Sequence, residues 1–95
     1  MIDEIKLGQA QHRGVRAAEL LENTLLQEAF AHLESEYMNG WLSTGSRDTE
    51  AREKLWQAVH VLRNIREHLK LHVTNGRIAA EDLRRLSEES KRKPK

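Results

Sequence analysis

Residues 24–41 read TLLQEAFAHLESEYMNGW, and Leu26, Phe30, Leu33, Tyr37 and Trp41 recur in them at spacings of 4, 3, 4 and 4. That rhythm lays the five side chains along one stripe of a helix, and Leu25 and Ala29 widen the stripe. Upstream, RAAELLEN (16–23) sets Ala18 and Leu21 on one face. Asn23 then interrupts as a good N-cap residue, and Thr24 followed by Gln27 has the form of a capping box. A long helix over 16–42 with a kink or fresh start at Asn23 is expected. The first fifteen residues mix polar groups with Gly8 and Gly14, and predict a flexible arm or a weak helix.

Downstream, Ser43-Thr44-Gly45-Ser46 is a turn by composition. Asp48 or Ser46 can cap the next helix, whose positive N-terminal end is matched by Asp48, Glu50 and Glu53. That helix is expected over 48–75. Leu55, Val59, Leu62, Leu69 and Val73 form its inner seam, with Ala58 and Ile65 beside it. Arg63, Arg66 and Lys70 favour its C-terminal half, and Asn75-Gly76 reads as a left-handed stop. A short helix over 78–89 follows, with Ala79, Leu83 and Leu86 inward. The tail, residues 91–95, has no apolar residue and is expected to be disordered. The predicted fold class is all-α, an antiparallel helical hairpin of two long helices with short flanking helices, forming a single domain over 1–90.

Composition narrows the function. The 95 residues contain no cysteine, which removes disulfide scaffolds, thiolate metal sites and cysteine nucleophiles. One proline, five glycines and four aromatic residues argue against a β-sandwich or small barrel. No apolar run approaches the roughly 18 residues of a membrane span, and MIDEIKLGQAQ lacks the pattern of a signal peptide. A cytoplasmic location is the expectation. Apolar residues make up 38% and charged residues 33%, a lean supply for a monomer's core. Trp56 and Val61 fall off the inner seam of their helix. Together with Trp41 they are the candidate oligomer interface, since an indole is costly to leave in water.

The net charge of +1 hides an asymmetry, because residues 1–53 hold ten acids and five bases while residues 54–95 hold five acids and eleven bases. Such a split suits head-to-tail self-association or an acidic partner for the second half, and equally an acidic helix neutralising a basic one. Arg77, Arg84, Arg85, Lys91, Arg92, Lys93 and Lys95 crowd the last nineteen residues, and Arg13 and Arg16 stand near the start. These nine are the candidate DNA-binding residues, able to meet a phosphate backbone by a salt-sensitive, sequence-independent attraction. No aromatic side chain is interleaved with the C-terminal cluster, so stacking on single-stranded bases is not indicated. The plainer reading of that cluster is a solubilising tail.

Catalytic and metal-binding signals are weak. His68 and His72 are four apart and His60 lies two turns earlier, but a zinc site needs further ligands and a supporting shell. Glu67 precedes His68 without a histidine at 66, so no His-Glu-x-x-His pattern forms. The histidines read instead as a polar helix face, one that would make assembly pH-sensitive if it lay at an interface. Glu19, Glu22, Glu28, Glu34 and Glu36 fall at mixed helical phases, as on a solvated surface. There is no glycine-rich phosphate loop and no serine elbow. The expectation is a protein that is no enzyme and uses no cofactor or metal.

The segments RGVRAAELLENTLLQEAFAHLESEYMNGW (13–41), RDTEAREKLWQAVHVLRNIREHL (47–69) and HVTNGRIA (72–79) resemble a group of short helical proteins of tailed bacteriophages and prophages. The shared pattern is a Leu-Leu-x-Asn corner, a Leu-Leu-x-Glu-Ala helix, an Arg-Asp-Thr-Glu turn and a Leu-Trp pair. Thr24 departs from it, standing where the group carries proline after the asparagine. By size and architecture the chain is similar to small terminase subunits. That resemblance implies a non-enzymatic DNA-packaging subunit in the host cytoplasm, forming a ring or bundle, binding double-stranded viral DNA and engaging the large packaging ATPase. The alternatives are a phage virion or assembly component acting only through protein contacts, and a small phage regulator of a host protein.

Overall fold

A computed structural model describes residues 3–92 of the chain, and among these every regular element is helical: α1 (Glu4–Glu22), α2 (Thr24–Ser43) and α3 (Thr49–Arg92). The all-α expectation is met. No helix among the described residues is long and apolar enough to cross a membrane. The helices divide into two compact units, and α3 contributes to both: Met1–Leu20 with Leu69–Lys95, and Leu21–His68.

Each helix start has a local cause. Asp3 caps α1, its Oδ1 accepting from the backbone N–H of Ile5 at 3.0 Å and of Lys6 at 3.3 Å. The opening segment is therefore a helix from Glu4 onward, despite Gly8 and Gly14. Asn23 lies extended, with φ −66° and ψ 118°, and its side chain accepts from Leu26 N–H at 2.9 Å. This breaks the helix expected over 16–42 into α1 and α2. The capping box does not form as expected: Gln27 Nε2 donates instead to the Leu21 carbonyl at 2.8 Å, tying the end of α1 to the start of α2. Asp48 caps α3 through Ala51 N–H at 3.2 Å, as the sequence suggests.

In the unit Leu21–His68, α2 lies against the first part of α3, and their contacts link residues at opposite positions along the two helices. Arg63 bonds Glu34 at 3.1 Å, the Arg66 guanidinium lies 5.2 Å from the centre of the Phe30 ring, and Leu55 reaches Gly40. Phe30, Val59 and Leu62 are buried here, on the stripes the apolar spacing marks out. The stripes are narrower than expected, since Leu25, Ala29 and Ile65 are exposed.

The other unit sets α1 against the remainder of α3. Ala17, Ala79, Gly14 and Gly76 are its buried residues. At the crossing the two backbones meet: a Cβ added to Gly14 would stand 2.8 Å from Gly76 Cα and 2.8 Å from the His72 carbonyl oxygen. Gly76 therefore serves close approach within a helix, with no positive-φ stop among the described residues. The expected termination at Asn75-Gly76 and the separate helix over 78–89 are corrected accordingly. Val73, Gly76, Ala79, Ala80 and Leu83 keep the inward phase without a break, and α3 continues through 44 residues. The expected single domain over 1–90 is likewise replaced by the two units. Of the tail predicted to be disordered, Lys91 and Arg92 belong to α3, and residues 93–95 lie outside the described residues.

The two kinds of glycine give opposite outcomes on substitution. Gly8→Ala meets nothing within 4 Å and should raise unfolding stability by about 0.5–1 kcal/mol through helix propensity. Gly14→Ala should lower it by about 1–3 kcal/mol, because backbone cannot yield as a side chain can. Urea midpoints of the two variants check both signs.

Candidate functional site

The turn joining α2 to α3 is held by a cluster that starts at the C-cap of α2. Thr44 is extended, and its backbone N–H donates to the Trp41 carbonyl at 3.2 Å while its hydroxyl donates to the same oxygen at 2.6 Å. Arg52 Nη1 donates to the Thr44 hydroxyl at 3.0 Å, and its guanidinium lies 3.9 Å from the centre of the Trp41 ring. The planar cation thus covers an aromatic face and satisfies the cap in one placement, which lysine could not reproduce. Trp41 is half-buried inside its own unit and stacked beneath Arg52, which corrects its expected role as an interface residue free for another copy.

Beside this cluster an apolar cleft of about 210 Å³ is lined by Met38, Trp41, Leu55, Trp56, Val59, His60 and Arg63. Trp56 is 53% exposed and leans on His60, their ring centres 3.9 Å apart. A second groove, lined by Trp41, Ser46, Thr49, Arg52, Glu53 and Trp56, adjoins it. The cleft has no nucleophile paired with a base, and no group of three or more metal-ligating side chains occurs among the described residues. Its chemistry is that of a docking surface, apolar in the middle with cations at the edge. Val61 is 58% exposed on α3, and Leu25 and Leu42 are exposed on α2. Sequence spacing singled out Trp56 and Val61. It missed Met38, Thr44 and Arg52, although Trp41 and Arg52 stand at similar distances on either side of the turn.

The nine candidate DNA-binding residues do not form one surface. Arg84 is held by Glu81 and Glu88, and Arg85 by Glu81 at 3.7 Å, all on α3. The hydrogen bond from Arg84 holds the Glu81 carboxyl below its ordinary range, while the same acids push the Arg84 guanidinium up. These two arginines are engaged locally. Arg77 lines a shallow groove with Gln11, Val15 and Ala18 of α1. At 100° per residue, Arg13 and Arg16 fall on the opposite side of α1 from those three residues. Arg13, Arg16 and Arg77 have no acidic partner among the described residues. Lys91 is exposed near the end of α3, Arg92 is its last residue, and Lys93 and Lys95 lie outside the described residues. The histidines are dispersed in their contacts: His60 stacks on Trp56, His32 reaches Glu36 at 3.0 Å, and His68 and His72 are engaged with neighbours.

Comparison with protein-family models, with curated proteins and with solved structures finds no match to this chain.

Removing the Arg52 side chain should unclasp the turn. Arg52→Ala is expected to cost about 1–2 kcal/mol of unfolding stability and to shift Trp41 emission to the red, read in a Trp56→Phe background. Arg52→Lys should recover little of either.

Proposed function

We propose that this chain is a non-enzymatic assembly subunit, a helical hairpin block that works by associating with further copies and with other protein surfaces. The observation that carries this reading is the balance of buried and exposed apolar residues. Five hydrophobic residues are buried among those described, none of them a tryptophan, while Leu25, Leu42, Trp56, Val61 and Ile78 are more than half exposed. Single exposed apolar residues are ordinary in monomers. An indole and a methionine lining one cleft beside further exposed aliphatics is the pattern of a surface that gains by being covered. The likeness to short helical proteins of tailed phages sets the context, and within it the reading is a phage virion or assembly component in the host cytoplasm.

Association is tested by mass. Light scattering on the intact chain should give a mass well above 11.0 kDa, and Trp56→Ala should lower it while circular dichroism stays helical. A wild-type chain that stays a protomer at high concentration would overturn the reading.

The second reading is the small terminase-like one, in which the subunit binds double-stranded DNA and engages the large packaging ATPase. Arg13, Arg16 and Arg77 favour it, as cations without acidic partners among the described residues. Arg84 and Arg85 weigh against it, since Glu81 and Glu88 already neutralise them. A double substitution, Glu81→Gln with Glu88→Gln, releases both arginines. If duplex DNA is the ligand, that variant should bind it more tightly and with a salt slope steeper by about one to two. Unchanged binding in a salt titration would remove Arg84 and Arg85 from any DNA surface.

A further inference from the structure

We infer that the occupant of the Trp41–Trp56 cleft is a second copy of this chain, entering with the Leu25 end of its α2; this rests on the self-association proposed above.

The argument is charge complementarity around two apolar points. At the turn end of the unit Leu21–His68, the cleft is accompanied by Arg52 and by Arg47, which follows Ser46 of the adjoining groove. Neither arginine has an acidic partner among the described residues. Arg52 spends its donors and its face on Thr44 and Trp41, so its charge remains uncompensated. At the other end of α2, Leu25 is 75% exposed and Ala29, one turn on, is exposed beside it. Glu28 stands three residues after Leu25, and Glu22 stands three before it across the Asn23 corner. Neither glutamate has a cationic partner among the described residues, whereas Glu34 is taken by Arg63 and Glu36 by His32. The twenty residues of α2 contain no lysine or arginine. An acid-flanked leucine and a cation-flanked pair of indoles are therefore displayed at opposite ends of one helix.

Geometry then fixes the mode of contact. Leu25 and Trp41 are sixteen residues apart on α2, about 24 Å along the axis, so the two surfaces of one copy cannot meet each other. The contact joins different copies and is head-to-tail, leaving one unused surface of each kind at the ends, so it closes into a ring or extends as a filament. A two-fold contact of cleft on cleft would instead set Arg47 and Arg52 of both copies against one another, at an electrostatic cost.

The test blocks one surface at a time in the full-length chain. Leu25→Asp spoils the α2 end and leaves the cleft intact, whereas Trp56→Ala spoils the cleft and leaves the α2 end intact. Both positions are exposed, and circular dichroism verifies that each variant keeps its helices. In sedimentation velocity each variant alone should self-associate at least about thirtyfold more weakly than wild type, as expected for loss of a central anchor. Mixed together, they retain one complementary pair of surfaces and should form a species of two chains and nothing larger. Glu28→Lys, which removes no apolar contact, should also weaken wild-type-like association and flatten its dependence on salt. A mixture no heavier than its separate components, beside a wild type that does associate, overturns this pairing and leaves self-association standing. A wild-type chain that never leaves the protomer state overturns both.

Discussion

A helix with one neighbour can bury one stripe, and that constraint governs this molecule. Within each unit a helix has a single partner, so roughly a third of its circumference is sheltered and the rest meets water. The buried residues follow from it: Phe30, Val59 and Leu62 in one unit, Ala17 and Ala79 in the other. Any apolar residue off the stripe is left outside regardless of its size, and this is how a tryptophan comes to be half exposed while alanines are buried. The surface that invites company is thus the direct result of too few layers, with no special feature needed to create it.

The two units solve the same problem with different chemistry. Where α2 meets α3, large side chains interlock and the flanks carry ion pairs, with Glu34 reaching both Arg63 and, at 4.0 Å, Arg66. Where α1 meets α3, the backbones themselves approach at Gly14 and Gly76, and contact is gained by removing side chains. Gly76 costs the helix about 1 kcal/mol of propensity, offset by the closeness it permits. Dispersion falls steeply with distance, so a tight crossing of small residues can match a looser one of large residues.

Much of this was legible in the sequence, and the failures have one source. The stripe of Leu26, Phe30, Leu33, Tyr37 and Trp41 pointed to the inward face of α2, and Leu55, Val59 and Leu62 did the same for α3. Asp48 was placed correctly as a cap. What escaped was the small-residue seam, because Leu7, Ala10, Gly14, Ala17 and Leu21 keep a 3-4-3-4 spacing that glycine and alanine make easy to overlook. Gly76 was misread for the same reason: Asn-Gly has the composition of a stop, yet it sits in phase between Val73 and Ala80, and phase outranked composition. At the candidate site, Trp56 and Val61 were visible as residues off the seam. The grip of Arg52 on Trp41 was not, since it depends on how the turn folds back and on which side chain reaches across. The neutralisation of Arg84 and Arg85 was present in the spacing of Glu81 and Glu88, at three, four and four residues, and was obscured by counting charges without pairing them.

The absence of cations from α2 has a practical side. Between Arg16 and Arg47 the chain offers no lysine or arginine, so an enzyme that cuts after those residues would release 17–47 as one piece holding the whole helix and the Asn23 corner. α3 is peppered with such bonds along its length. A digest would therefore leave the acidic half of the molecule legible as one large peptide and reduce the basic half to fragments.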